Sequence, residues 1–93
     1  MVEIADFQTH HGQLRAQMAD IWTKIQGLNG NYAVRRDLVS LHSNLRLIWA
    51  KMDNEMIECR KRNRATSNYT ELSRELAKYL KIMDREVFWQ QLH

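Results

Sequence analysis

Apolar residues recur along this chain at steps of three and four, in three separate stretches. In the first they fall at Ile4, Phe7, Leu14, Met18, Ile21, Ile25 and Leu28, and His11 occupies the one slot that breaks the series. In the second they fall at Val34, Leu38, Leu41, Leu45, Ile48, Met52 and Cys59, with Glu55 in an apolar slot and Met56 beside it. The third carries Leu72, Leu76, Tyr79, Leu80, Met83 and Val87. This is heptad spacing, which puts one face of each helix against its neighbours, and no period-two alternation predicts strands.

The breaks between stretches hold the residues that turns and helix ends favour. They are Gly27-Leu28-Asn29-Gly30-Asn31 and Asn63-Arg64-Ala65-Thr66-Ser67-Asn68. Helices are therefore predicted near 3–27, 32–64 and 69–91, forming a single helical domain over 1–93. Asn31 is read as the N-cap of the second helix. Asn68, three residues before Glu71, is read as the start of a capping box for the third. Short connections make successive helices antiparallel neighbours. The expected fold is all-α: an antiparallel three-helix bundle, or a helical hairpin with a third helix, with coiled-coil-like packing and a long middle helix. The middle helix would span roughly 50 Å and each neighbour roughly 35 Å. Pairing each short helix from its own turn predicts a three-helix overlap only around residues 42–56, leaving both ends two helices thick.

Several apolar residues lie off this seam. Trp22 and Trp49 each follow a seam isoleucine, and the third helix is expected to cover that flank, with His42 placed to receive an indole N–H. Gly12, beside His11, is expected to admit a close neighbour. Val39, Leu47, Ala50 and Ile57 form a thin second stripe on the middle helix. Phe88, Trp89 and Leu92 crowd the C-terminal end, and Ile82 shares a face with Trp89 seven residues on. Leu47, Ile57, Ile82, Phe88, Trp89 and Leu92 are thus the candidate partner-binding residues, since aromatic and aliphatic side chains outside a core are what interfaces use.

Composition narrows the class further. The sequence has 93 residues, no proline, three glycines and one cysteine. The missing proline permits long helices, and a single cysteine cannot form an internal disulfide framework. No stretch is apolar enough to span a bilayer. No charged segment leading into an apolar run opens the sequence, so an intracellular location, cytoplasmic or nuclear, is expected. The formal charge is +3. The cations gather in Arg60, Lys61, Arg62 and Arg64 and in a stripe of Arg74, Lys78, Lys81 and Arg85. These eight are the candidate contacts for an anion or nucleic acid. Glu58, Glu71 and Glu75 stand three or four residues before Arg62, Arg74 and Lys78, a spacing that predicts intrahelical pairs.

Catalytic and metal-binding chemistry has no motif here. His10 and His11 are adjacent rather than four apart, and Cys59 has no CxxC companion, so no metal site and no cofactor are predicted. No glycine-rich phosphate loop, GxSxG elbow or HExxH occurs. Cys59 reads as a small buried hydrophobe, and His11 as a partly buried polar residue that fixes register. Asn68-Tyr69-Thr70 matches a glycosylation sequon, but helix capping explains Asn68 better. The expected function is therefore non-enzymatic: a helical protein–protein interaction module, a small subunit or adaptor that binds another protein or itself. The alternative is a basic helical nucleic-acid-binding regulator. A viral or phage inhibitor of a host protein would look the same in sequence as an adaptor.

Overall fold

In the computed structural model, residues 4–92 are described. They form three helices: α1 (Ile4–Gln26), α2 (Tyr32–Arg62) and α3 (Ser67–Gln91). Each pair of helices is in contact, so the arrangement is a closed bundle rather than a hairpin with an attached arm. The bundle measures 47 × 18 × 16 Å. Its long dimension is that of α2, whose 31 residues extend about 46 Å.

Sequence-local chemistry sets the helix ends. Asn31 caps α2 as expected, its Oδ1 accepting from the Ala33 N–H at 2.8 Å. Asn63 ends α2 in the left-handed conformation at φ 53° and ψ 37°, which asparagine tolerates better than most residues. The Asn63 and Arg64 N–H groups then reach back to the Arg60 and Cys59 carbonyls at 3.3 and 3.1 Å. This is the Schellman arrangement, which satisfies carbonyls that a helix end leaves unpaired. The third helix begins earlier than expected. Its cap is Thr66, whose Oγ1 accepts from the Tyr69 N–H at 3.1 Å, and Asn68 lies inside the helix. Thr66 takes this role because its backbone N–H bonds to Cys59 Sγ at 3.3 Å and its hydroxyl donates to Glu55 Oε2 at 3.1 Å.

That fold-back corrects the expected overlap. The chain reverses sharply after Asn63, so α3 starts inside the end of α2 rather than beyond it. From there α1 and α3 run parallel and in step. Phe7 and Tyr69 meet edge to face at 5.9 Å near one end, and Lys24 reaches Asp84 at 3.5 Å near the other. The buried residues of α2 extend from Leu38 to Cys59, well past the 42–56 zone. The three-helix section therefore covers most of α1 and α3.

Most of the core follows the heptad pattern. Leu14, Met18, Ile21 and Ile25 of α1 pack with Leu38, Leu45, Met52, Met56 and Cys59 of α2 and Leu76, Leu80, Met83 and Val87 of α3. Leu28 plugs the first turn. Met56 fills the space beside Glu55, so the carboxylate at the apolar slot is only half-buried and serves Thr66. Leu41 and Tyr79, expected in the core, are instead 53% and 40% exposed. Both lie on the edge of the α2–α3 seam that faces away from α1. Gly12 also departs from expectation. A Cβ built on it meets nothing within 4 Å, so it admits no close neighbour.

His11 joins all three helices. Its Nε2 lies 2.8 Å from Asp53 Oδ1 in α2, and its Nδ1 lies 3.2 Å from the Tyr69 hydroxyl of α3. A carboxylate only accepts, so Nε2 carries the hydrogen and, in the neutral ring, Nδ1 accepts from Tyr69. The imidazole stacks on Trp49 at 4.0 Å. Burial above all, with smaller electrostatic contributions from the neighbouring Cys59 and Asp53, pushes the Tyr69 phenol up to about 12.

Candidate interaction surface

Three helices leave three outer grooves, and their linings differ. Between α2 and α3, Leu38, Leu45 and Met83 form the floor of a trough of about 560 Å³, walled by Leu41, Ile48, Tyr79 and Ile82. Asn44, Arg85 and Glu86 stand at its rim. Further along the same helix pair the lining becomes polar, with Lys51, Asn54, Glu71 and Glu75 around Leu72. The apolar trough is thus confined to the section nearer the C-terminal end of α3. It exists because the apolar arc of α3 is too wide for one neighbour. Leu76 and Leu80 face the core, while Tyr79 and Ile82 continue the arc outward past the α2 contact.

The six candidate partner-binding residues are all exposed but do not share one face. Ile82, 52% exposed, is on the trough wall. Trp89 lies two turns further along the same side of α3. Leu47 and Ile57 sit on the outer face of α2, ten residues and about 80° apart around the helix. Phe88 points to another side of α3 than Trp89, and Leu92 follows the last helical turn. Leu41 and Tyr79 were missed because heptad spacing assigns both to the core. The signal available in the sequence was the density of apolar residues in α3 at Tyr79, Leu80, Ile82 and Met83, more than a single seam needs.

The basic residues form two separate groups. Arg62 and Arg64 line a polar depression at the α2–α3 turn together with Glu55 and Glu58. Arg74, Lys78, Lys81 and Arg85 lie along the outer face of α3, and all four are exposed. The expected intrahelical pairs do not form. Glu58 pairs with Lys61 at 3.4 Å rather than with Arg62, and among the described residues Glu71 and Glu75 make no ion pair with Arg74 or Lys78. Exposed pairs gain only about 0–1 kcal/mol against the entropy of holding two long side chains, so these groups stay extended into solvent.

No family model, curated protein or solved structure matches this chain. The functional reading therefore rests on its own residues. No helix among the described residues is long and apolar enough to cross a membrane.

The histidines and tryptophans take places that spacing did not foretell. Trp22 and Trp49 are not covered by α3, which packs on the opposite flank of the α1–α2 seam. They line the α1–α2 groove instead. His42 receives no indole N–H. Its Nε2 lies 2.9 Å from the Met18 carbonyl oxygen, and its ring sits 5.1 Å from that of Trp22. Cys59 is fully buried, as a small hydrophobe should be.

Proposed function

We propose that the protein is a non-enzymatic helical interaction module, a small subunit or adaptor, which takes the apolar face of a helix from another protein into the α2–α3 trough. The observation that carries this reading is the trough itself: a continuous apolar floor and walls, open to solvent. Helix-in-groove recognition needs this shape, with anchors at one-turn spacing. Leu41, Tyr79 and Ile82 are each about half exposed, so covering them contributes roughly 3 kcal/mol in all. Association costs at least about 4 kcal/mol before any contact counts. The partner must therefore reach beyond these three, along Ile48 and towards Trp89, which asks for two or three helical turns. The cations of α3 beside the trough would speed the approach of an acidic partner.

Binding rather than catalysis also fits the polar array of Asp53, His11 and Tyr69. Asp53, His11 and Tyr69 have the donor–acceptor order of a proton relay. Tyr69 is 0% exposed, however, so no substrate can reach the hydroxyl, and the array serves to tie three helices together.

The test is a Leu41→Asp/Ile82→Asp variant. Both positions are exposed, so the melting temperature should stay within a few degrees of the parent. A protein captured from the native source by the parent chain should be lost to the variant. Capture unchanged by the variant refutes the trough as the interface. Light scattering on the purified chain separates self-association, in which the parent mass rises with concentration and the variant's does not.

A further inference from the structure

The side of α2 turned away from both neighbours carries a second heptad line. Ser40, Ser43, Leu47, Ala50, Asn54 and Ile57 follow one another at steps of three and four, about half a turn around the helix from the buried Leu45, Met52 and Met56. All six are exposed, Leu47 by 64% and Ile57 by 49%. The exposed charges of α2 between Arg36 and Lys61, at Asp37, Arg46, Lys51, Asp53 and Arg60, all fall off this line. The angle of about 80° between Leu47 and Ile57 is one step across a heptad seam, about 60°, plus the roughly 20° by which a straight helix drifts in each heptad. A left-handed supercoil removes that drift, so one partner helix can meet all six positions.

The seam complements itself when a second copy lies antiparallel, with the two-fold axis between Leu47 and Ala50. Leu47 then packs over Ala50 of the second copy, Ile57 over its Ser40, and Asn54 over its Ser43. Each layer joins a larger side chain to a smaller one, and the Asn54 amide meets a hydroxyl. The flanking charges select the same direction. Antiparallel pairing brings Arg46 beside Asp53 of the second copy, once on each side of the axis. His11 takes only Oδ1 of Asp53, whose side chain is 59% exposed. At each end Asp37 and Glu58 meet together with their own cations, Arg36 at 3.8 Å and Lys61 at 3.4 Å, so charge there balances. A parallel alignment instead stacks Ser43 on Ser43 and Ala50 on Ala50, which leaves those layers thin. It also sets Arg46 against Lys51 and Asp53 against Glu58, a like-charge contact at every flank.

We infer that two copies of this protein associate through the outer faces of α2, antiparallel about a two-fold axis. Such an interface closes on itself and stops at the dimer. One seam from Ser40 to Ile57 is about 27 Å long and buries less than the roughly 1,200 Å² at which stable interfaces begin. The dimer is therefore reversible, with a dissociation constant on the order of 100 μM. This face is separate from the α2–α3 trough, whose α2 wall is Leu41 and Ile48, so the inference does not rest on what the trough binds.

The experiment is sedimentation equilibrium of the full chain up to about 1 mM, ten times that constant. The parent mass should rise with concentration and level off at the dimer. Leu47→Glu/Ile57→Glu should stay monomeric throughout. Both positions are exposed, so its melting temperature in dilute solution should match the parent's. The trough variant Leu41→Asp/Ile82→Asp should dimerise as the parent does. Arg46→Glu tests direction: it sets two carboxylates together in the antiparallel dimer and should weaken it about threefold or more, whereas it would relieve the repulsion from Lys51 in a parallel one. A parent monomeric at the highest concentration, a mass that climbs past the dimer, or a dimer retained by Leu47→Glu/Ile57→Glu would overturn the inference. Loss of the dimer in the trough variant would assign self-association to the trough instead, and an unchanged or tighter dimer in Arg46→Glu would overturn the antiparallel arrangement.

Discussion

Thr66 shows how much one side chain can decide. Its Oγ1 accepts from the Tyr69 N–H and donates to Glu55, its N–H meets Cys59 Sγ, and its carbonyl accepts from the Thr70 hydroxyl at 3.1 Å. Thr66→Ala removes the cap and leaves a half-buried carboxylate without its donor. The expected loss is about 1–2 kcal/mol, or roughly 4–16 °C in melting temperature for a domain of this size. Thr66→Ser should keep most of it. Urea denaturation of the two variants checks the pair, and equal loss in both would assign the effect to the methyl group instead of the hydroxyl. Thr66 was legible in the sequence only as one of several turn residues. Asn68 had the better spacing to Glu71, and what overrode it was the non-local contact with Glu55 and Cys59.

Within the elements, α1 is the helix with a correctable weakness. Its apolar stripe is regular, but Gly12 stands in its interior. The position meets open space, so Gly12→Ala should stabilise the protein by about 1 kcal/mol, the ordinary helix-propensity difference. A melting temperature unchanged or lowered by this substitution would mean that α1 needs its glycine for some approach not seen in the bundle. On α3 the deviation is the opposite one, an apolar arc broader than the core requires. Sequence periodicity registers the arc but not where its edge falls, because the edge depends on how α2 and α3 are rotated against each other. Leu41 and Tyr79 sit at seam spacing and yet lie outside the seam for that reason.

At the scale of the molecule, groups far apart in sequence hold the helices in register. Lys24 of α1 reaches Asp20 at 3.0 Å and Asp84 of α3 at 3.5 Å. The hydrogen bond that it donates to Asp20, followed by the Asp84 charge, raises its ammonium pKa. Tyr69 is likewise held in its protonated form, at about 12 against an ordinary 10.0. Both groups bind their proton more tightly folded than unfolded. Their stabilisation is complete below about pH 10, where the unfolded groups are also protonated, and is lost as pH rises through the folded values. The bundle should therefore lose stability between about pH 10 and pH 12. In Tyr69→Phe the tyrosine part of that slope should vanish. Denaturant midpoints at intervals across this window measure it, and an identical slope in the variant would show that Tyr69 does not contribute.

The sequence by itself determined the elements. Heptad spacing, absent proline and two clusters of turn residues fixed three helices, the N-cap at Asn31 and most of the core, because these depend on residues within a turn or two of one another. Tertiary structure alone decided how far α3 folds back along α2, and hence that the bundle is closed over most of its length. It also decided which off-seam side chains line a groove. Ile82 was legible as an outward apolar residue, but its pairing with Leu41 and Tyr79 across a trough was not. The same holds for the α1–α2 groove: Trp22, Trp49 and His42 come from two helices, and only the register and rotation of those helices bring them to one place.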